Sequence, residues 1–208
     1  LHACKAEGLP GLPRDELLVY MEELARAVDF LNEPHQQVSG EVRSGVQHRD
    51  IKPHNIFLVG GSVRLADFGL AKVLEADTAS HTGCMSPTYV APEVLTGRVS
   101  QRSDQYSLAI TYVQLRIGRP PFTGKSVDQI LYDHLSSVPD LSMLPEEEGR
   151  VVARALAKQP EDRWPTCRAF VRGLATAAKT SDAQLAFPDG TTLLAVEPTT
   201  DVATRLPG

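Results

Sequence analysis

Three short runs hold the groups in this chain that could do chemistry. His48-Arg49-Asp50-Ile51-Lys52-Pro53-His54-Asn55 places one carboxylate, one ammonium and one side-chain amide between Asp50 and Asn55. Asp67-Phe68-Gly69 stands twelve residues after Asn55, and Ala91-Pro92-Glu93 follows further on. An acid, a cation and an amide are the groups that electrostatic catalysis on a charged reactant draws on. Any one of the triplets alone is weak, since an isolated His-Arg-Asp is more often a surface charge cluster. Here the three occur in order, with Lys and Asn two and five places after the first Asp.

The elements that must position these groups follow from periodicity. Leu17, Met21, Leu24, Val28 and Leu31 recur every three or four residues and predict a helix ended by Asn32 and Pro34. Residues 35–47 are polar with two glycines and read as a loop. Residues 55–59 read as a strand, Gly60-Gly61 as a tight turn and residues 63–65 as the returning strand. Residues 71–92 are rich in Ser, Thr, Gly and Pro and predict a long surface segment. A helix over 103–117, capped by Ser103 and stopped by Gly118 and Pro120, is apolar almost all round and therefore central. Shorter helices are expected from Ser126 to Leu135, from Pro145 to near Lys158, and from Pro165 to Ala178. Residues 179–208 mix Thr, Pro, Asp and Gly and read as a linker or disordered tail after a domain over 1–178.

Composition narrows the function classes. The chain has 208 residues, 42% hydrophobic and 23% charged, which suits one soluble globular domain or a little more. Its net charge of −5 gives no basic excess for nucleic acid or an anionic membrane. No apolar stretch approaches the roughly 18–20 residues that cross a bilayer. Cys4, Cys84 and Cys167 are too sparse for a disulfide framework and fit a reducing, cytoplasmic setting. The opening Leu1-His2-Ala3-Cys4 is neither a start methionine nor a signal peptide, so an upstream part is expected.

Taken together, the motifs resemble the C-terminal lobe of a eukaryotic-type protein kinase: H-R-D-x-K-x-x-N, then D-F-G, then A-P-E. The likeness continues through Ser103-Asp104-Gln105-Tyr106-Ser107-Leu108, similar to the large central helix of that lobe, to Asp162-Arg163-Trp164-Pro165, similar to its late arginine. It covers roughly residues 1–178, and the surroundings of the third motif look like bacterial serine/threonine kinases. The implied fold is α+β, a mainly helical C-lobe with a small β-hairpin. The implied reaction is transfer of the γ-phosphate of ATP to Ser or Thr hydroxyls of protein substrates, with Mg²⁺. Bacterial kinases of this type can carry a membrane helix and sensor domain after the catalytic domain.

Such a transfer passes through a loose transition state, so positioning and charge stabilisation dominate. The resemblance implies that Asp67 and Asn55 give hard oxygen ligands to the metal, the kind magnesium demands. It implies that Asp50 orients the substrate hydroxyl and accepts its proton, and that Lys52 meets the γ-phosphate. His48 packs and bonds the catalytic loop, and Phe68 with Gly69 completes the second motif as a packing wedge and its neighbour. Glu93 and Arg163 are expected to form a buried ion pair, and Asp104 to anchor the backbone of the catalytic loop. Residues 67–93 resemble an activation loop, in which Arg49 would pair with a phosphate on Thr78, Ser80 or, preferably, Thr82. Ser86 stands where the family usually has Thr and would bond near Asp50 and Lys52. Met85 stands where it usually has Gly, which puts the local backbone in doubt.

The family also uses a small N-terminal lobe with a Gly-rich loop, a strand Lys and a helix Glu. No G-x-G-x-x-G and no V-A-I-K occurs among the 47 residues before His48, so the N-lobe is expected to be absent from this chain. The full-length protein is then expected to be active and the isolated chain inactive. One rival reading is a pseudokinase-like binding scaffold; against it, Asp50, Lys52, Asn55 and Asp67 are all present. A second rival is a small-molecule phosphotransferase of the antibiotic-kinase type, which would lack Arg49, Lys52 and the Ala-Pro-Glu run.

Overall fold

A computed structural model describes residues 6, 8–33, 35–36, 42–43, 45–67, 72–73 and 86–186. Helix α1 (Arg14–Asn32) carries Asp15 and Glu16 in its first turn, where negative charge suits the dipole. Its apolar stripe, Leu17, Met21, Leu24 and Val28, is fully or almost fully buried. Three short antiparallel pairings follow. Strand β1 (His35–Gln36) pairs with β2 (Val42–Arg43), and β3 (Val46–Gln47) with β6 (Lys72–Val73). Strands β4 (Ile56–Val59) and β5 (Ser62–Leu65) form the hairpin. Its turn is Gly60-Gly61, both at positive φ (59° and 81°), the mirror-image turn that matches strand twist and favours glycine.

The helical part begins with the short α2 (Pro92–Leu95) and continues with α3 (Ser103–Ile117), α4 (Val127–Ser136), α5 (Glu146–Ala155) and α6 (Cys167–Ala186). Every residue of α3 from Ser103 to Val113 is buried, so this helix is the axis of the molecule. Gly118 stops it in the left-handed conformation at φ 79°, its N–H bonding the Gln114 carbonyl at 2.9 Å. Helices α1, α3, α5 and α6 share one apolar core that includes Met21, Leu108, Tyr112, Val152 and Phe170. No described helix is long and apolar enough to cross a membrane.

Several expectations need correction. The segment 35–47 is not a plain loop: β1, β2 and β3 lie in it, paired through main-chain bonds that its polar side chains do not announce. Asn55 is not in the strand but ends the 3₁₀ turn Pro53–Asn55. Ser103 does not cap α3. Arg102 holds that position, while the Ser103 hydroxyl accepts from the Ser100 N–H and donates to Glu93, a tertiary partner that outcompetes the helix end. Helix α5 ends at Ala155 rather than near Lys158. Helix α6 begins at Cys167 rather than Pro165 and runs to Ala186 rather than Ala178.

Candidate active site

The loop 48–55 crosses the face of α3 and is held there by two side chains two turns apart, Asp104 and Thr111. Asp104 is buried and accepts from the His48 N–H at 2.8 Å and the Arg49 N–H at 2.9 Å. Burial pushes its carboxyl up; those two bonds and the charges of His48 and Arg49 oppose the shift. Thr111 reaches the Ile51 carbonyl at 3.3 Å. The anchoring fixes an unfavourable backbone: Arg49 sits at φ 67°, in the left-handed region that costs a non-glycine residue roughly 1–2 kcal/mol. Asp67 shares that conformation, also at φ 67°. Strained non-glycine residues of this kind gather at functional sites.

Four side chains meet where this loop passes the segment beginning at Ser86. Asp50 is nearly buried, and its Oδ2 lies 2.7 Å from Lys52 Nζ. Its Oδ1 accepts from Ser86 Oγ at 2.8 Å, and Ser86 Oγ accepts from Lys52 Nζ at 2.8 Å. Asn55 Nδ2 donates to both the Asp50 carbonyl and Oδ2, each at 2.9 Å. Burial pushes the Asp50 carboxyl up, but the bonds from Lys52, Ser86 and Asn55 and the Lys52 charge outweigh it, and the net shift is downward. Asp50 is therefore an anion at neutral pH.

The hairpin brings the second acid to the same place. The Ala66 N–H bonds the Asn55 carbonyl at 2.9 Å, so the chain returns beside Asn55 and Asp67 comes next, exposed. Burial lowers the His48 pKa, and the carboxylates of Asp104, Asp50 and Asp67 all pull the other way. With Nδ2 committed to Asp50, the Asn55 amide has a fixed orientation, and its Oδ1 is a hard oxygen on the residue whose carbonyl the Ala66 N–H bonds. Among the described residues no three His, Cys, Asp or Glu side chains gather into a metal cage. One carboxylate and one amide oxygen nonetheless fit magnesium, which takes one or two protein ligands and completes its octahedron with phosphate and water.

Two more predicted groups sit in the interior. Arg163 and Glu93 form a buried bidentate pair, Nη1 to Oε1 at 2.8 Å and Nη2 to Oε2 at 2.7 Å. Arg163 also donates to the carbonyls of Ala157, Arg102 and Lys158. The Arg49 guanidinium has Nε and Nη2 buried without a hydrogen-bond partner among the described residues. Phe68, Gly69, Thr78, Ser80, Thr82, Cys84 and Met85 lie outside the described residues.

Sequence reasoning missed several groups. Ser107 and Thr111 share the Asp104 face of α3, and Ser107 bonds the Tyr89 carbonyl at 2.7 Å. Tyr89 reaches Gln114 through its hydroxyl. His134, fully buried, bonds Tyr106 and the Thr88 carbonyl. The spacing of 104, 107 and 111 on one helical face was a signal for the first two; nothing local marks His134. A cavity of about 590 Å³ lies beside the hairpin, lined by Leu12, Tyr20, Pro53, Phe57 and Leu58 among others, and none of the four clustered polar side chains lines it.

A family model described as the protein kinase domain matches residues 5–177. The serine/threonine-protein kinase PkaA of Streptomyces coelicolor is 39% identical over 143 residues, which are 65% of this chain and 26% of that protein. PknF of Mycobacterium tuberculosis is 34% identical over 181 residues, 79% of this chain and 35% of that protein. PknL of the same species is 37% identical over 156 residues, 71% of this chain and 38% of that protein. The matched part thus spans between a quarter and two fifths of these relatives. With the H-R-D, D-F-G and A-P-E runs in order along the sequence, the chain belongs to the protein kinase domain family, among bacterial serine/threonine kinases of the eukaryotic type.

Proposed function

We propose that the protein carrying this chain transfers the γ-phosphate of ATP to Ser or Thr hydroxyls of protein substrates. The observation that supports this most is the closed set of Asp50, Lys52, Asn55 and Ser86, with Asp67 delivered beside it by the hairpin. In the reaction the substrate oxygen forms a bond to the γ-phosphorus, the bond to the β,γ-bridging oxygen breaks, and ADP leaves. Asp50, anionic and almost enclosed, accepts the hydrogen bond of the incoming hydroxyl, aims its oxygen and receives the proton as the new bond forms. A carboxylate with a lowered pKa is a weak base, so orientation is its larger contribution. Lys52 exchanges its contact with Asp50 for the γ-phosphate and balances the charge on it. Asn55 and Asp67 would hold the divalent ion, which would supply positive charge to the phosphates. Ser86 closes the side of the pocket that faces the hydroxyl. The buried Nε and Nη2 of Arg49 fit a phosphate on Thr78, Ser80 or Thr82.

The 208 residues contain no Gly-rich phosphate loop, so this reading assigns the reaction to the longer protein and none to the isolated chain. The test is phosphate incorporation into a generic protein substrate by that longer protein, with ATP and Mg²⁺, for wild type and Asp50→Asn. Loss of at least a hundredfold in the variant, with Ser and Thr as the mapped acceptors, is expected. Undiminished transfer by Asp50→Asn contradicts the reading. A wild type that binds ATP but transfers nothing would favour the scaffold alternative.

A further inference from the structure

Helix α4 touches the rest of the protein in an unusual way. Only one of its residues, His134, is buried, and that side chain is completely enclosed. Its ring stands edge-on to Tyr106 and Phe122, with centroids 5.6 Å and 4.8 Å away. Nε2 lies 3.1 Å from the Thr88 carbonyl oxygen and Nδ1 lies 2.9 Å from the Tyr106 hydroxyl. A carbonyl can only accept, so Nε2 carries the proton. Burial together with the Lys158 charge lowers the His134 pKa to about 4, which keeps the imidazole neutral, so Nδ1 is the acceptor and the Tyr106 hydroxyl donates to it. Lys158 holds the end of the helix from outside, donating to the Asp133 and His134 carbonyls at 3.0 Å and 2.8 Å.

The far end of this link is the turn that supplies Ser86. The 3₁₀ turn Pro87–Tyr89 is closed by the Tyr89 N–H on the Ser86 carbonyl at 3.1 Å. Ser107 holds the Tyr89 carbonyl from α3, and Ser86 itself bonds Asp50 and Lys52. The Thr88 carbonyl lies between these two fixed points, and α4 supplies its donor. On the other side, Tyr106 packs beneath Arg163, 4.9 Å from its ring, and so on the buried Glu93 pair. A continuous set of contacts therefore runs from the Glu93–Arg163 pair through Tyr106 and His134 to the turn beside Asp50.

We propose that His134 is a positioning residue that sets the Ser86 turn, and through it the site for the hydroxyl-bearing substrate, while leaving nucleotide binding untouched. The inference deepens the phosphotransfer reading and rests on it for its kinetic consequences. Asn55 and Asp67 are the groups assigned to the divalent ion, whereas the Ser86 hydroxyl bonds Asp50, assigned to the substrate hydroxyl, and Lys52, assigned to the terminal phosphate alone. Loss of the Thr88 bond should thus appear in the KM for protein substrate and not in the KM for ATP.

The test uses the whole protein with His134→Phe, His134→Gln and Tyr106→Phe. Phenylalanine keeps the ring volume and removes both bonds. Glutamine places an N–H near Nε2 and restores the donor to Thr88. The tyrosine variant removes only the hydroxyl that fixes the tautomer, and covers the case in which His134→Phe does not fold. His134→Phe is expected to raise the substrate KM five- to tenfold, the size of one lost buried hydrogen bond, with the ATP KM within twofold of wild type. Tyr106→Phe should move the substrate KM about threefold the same way, and His134→Gln should return it to within about threefold of wild type. Hydrogen exchange at the Tyr89 amide should speed up at least about fivefold in His134→Phe and recover in His134→Gln. Equal substrate KM in all variants, a parallel rise in the ATP KM, or a glutamine variant as impaired as phenylalanine would overturn the proposal. If wild type transfers no phosphate, the phosphotransfer reading fails, and Tyr89 exchange decides the His134 link alone. Unchanged exchange in His134→Phe then overturns it, and faster exchange rescued by glutamine upholds it.

Discussion

Replacing Asp104 with Asn should unlock the candidate catalytic loop without removing any group that reacts. Both carboxylate oxygens accept main-chain donors, at 2.8 Å from His48 and 2.9 Å from Arg49. Asparagine keeps one acceptor and turns an NH₂ towards the second N–H. A buried donor left without its partner costs about 1–3 kcal/mol, and more where the partner was ionised, so about 2–4 kcal/mol is reasonable here. The same carboxylate holds Arg49 at φ 67°, a conformation with a further roughly 1–2 kcal/mol of stored strain. The loop then has both less holding it and a reason to relax, and Asp50 moves with it. Hydrogen exchange at the His48 and Arg49 amides reads this directly. A loss of 2–4 kcal/mol corresponds to exchange roughly 30- to 700-fold faster at those two positions. Amides in the centre of α6 should change far less. Exchange at His48 and Arg49 within threefold of wild type would refute the claim that Asp104 fixes the loop.

Breaking the interior ion pair with Glu93→Gln leaves the Arg163 guanidinium buried against a neutral amide. Unfolding free energy should fall by about 3–5 kcal/mol, and a loss below about 1 kcal/mol in urea titration would contradict the assignment. His134 makes stability depend on pH in a direction that can be worked out. Its pKa is lowered to about 4 from an ordinary 6.5, so the unfolded chain binds the proton more tightly, and stability is lost as pH falls from 6.5 towards 4. Between pH 7 and pH 5 the loss attributable to this group is about 2 kcal/mol. The loss should be absent from His134→Gln, so the stability difference between wild type and variant should shift by that amount between pH 7 and pH 5, measured by denaturant midpoints at the two pH values. A difference that does not change with pH would contradict the neutral, buried imidazole.

Much of the scaffold was legible because its signals are local. The bounds of α3 follow from an all-round apolar run ended by a glycine that can turn left-handed, and the hairpin from alternating apolar residues around Gly60-Gly61. Asp50, Lys52 and Asn55 could be grouped because a six-residue loop keeps their side chains together. What escaped depends on partners far along the chain. Ser103 reads as a cap until Glu93, ten residues earlier, takes its hydroxyl. Helix α6 starts after Thr166, whose hydroxyl accepts from the Ala169 N–H at 3.0 Å, and Asp29, 138 residues before Cys167, adds acceptors for the Cys167 and Arg168 N–H groups at 2.7 Å and 3.0 Å. Its extension to Ala186 has a local sign that the polar composition of the segment obscured: Pro188, two residues beyond the end, marks where a helix must already have stopped. Strand β3 is two residues long and pairs Val46 with Val73, which no period in either segment reveals. His134 has the same character, with partners 28 and 46 residues away and an ordinary amphipathic helix around it.

The central claim is that Asp67, brought beside Asn55 by the hairpin, completes a site for a nucleotide and its divalent ion. The most direct measurement is ATP-dependent phosphate incorporation by the whole protein across a Mg²⁺ titration, for wild type and Asp67→Asn. Magnesium-dependent transfer in wild type, and transfer reduced at least a hundredfold in the variant at every Mg²⁺ concentration, is the predicted result. Equal incorporation by the two proteins at low Mg²⁺ would contradict it.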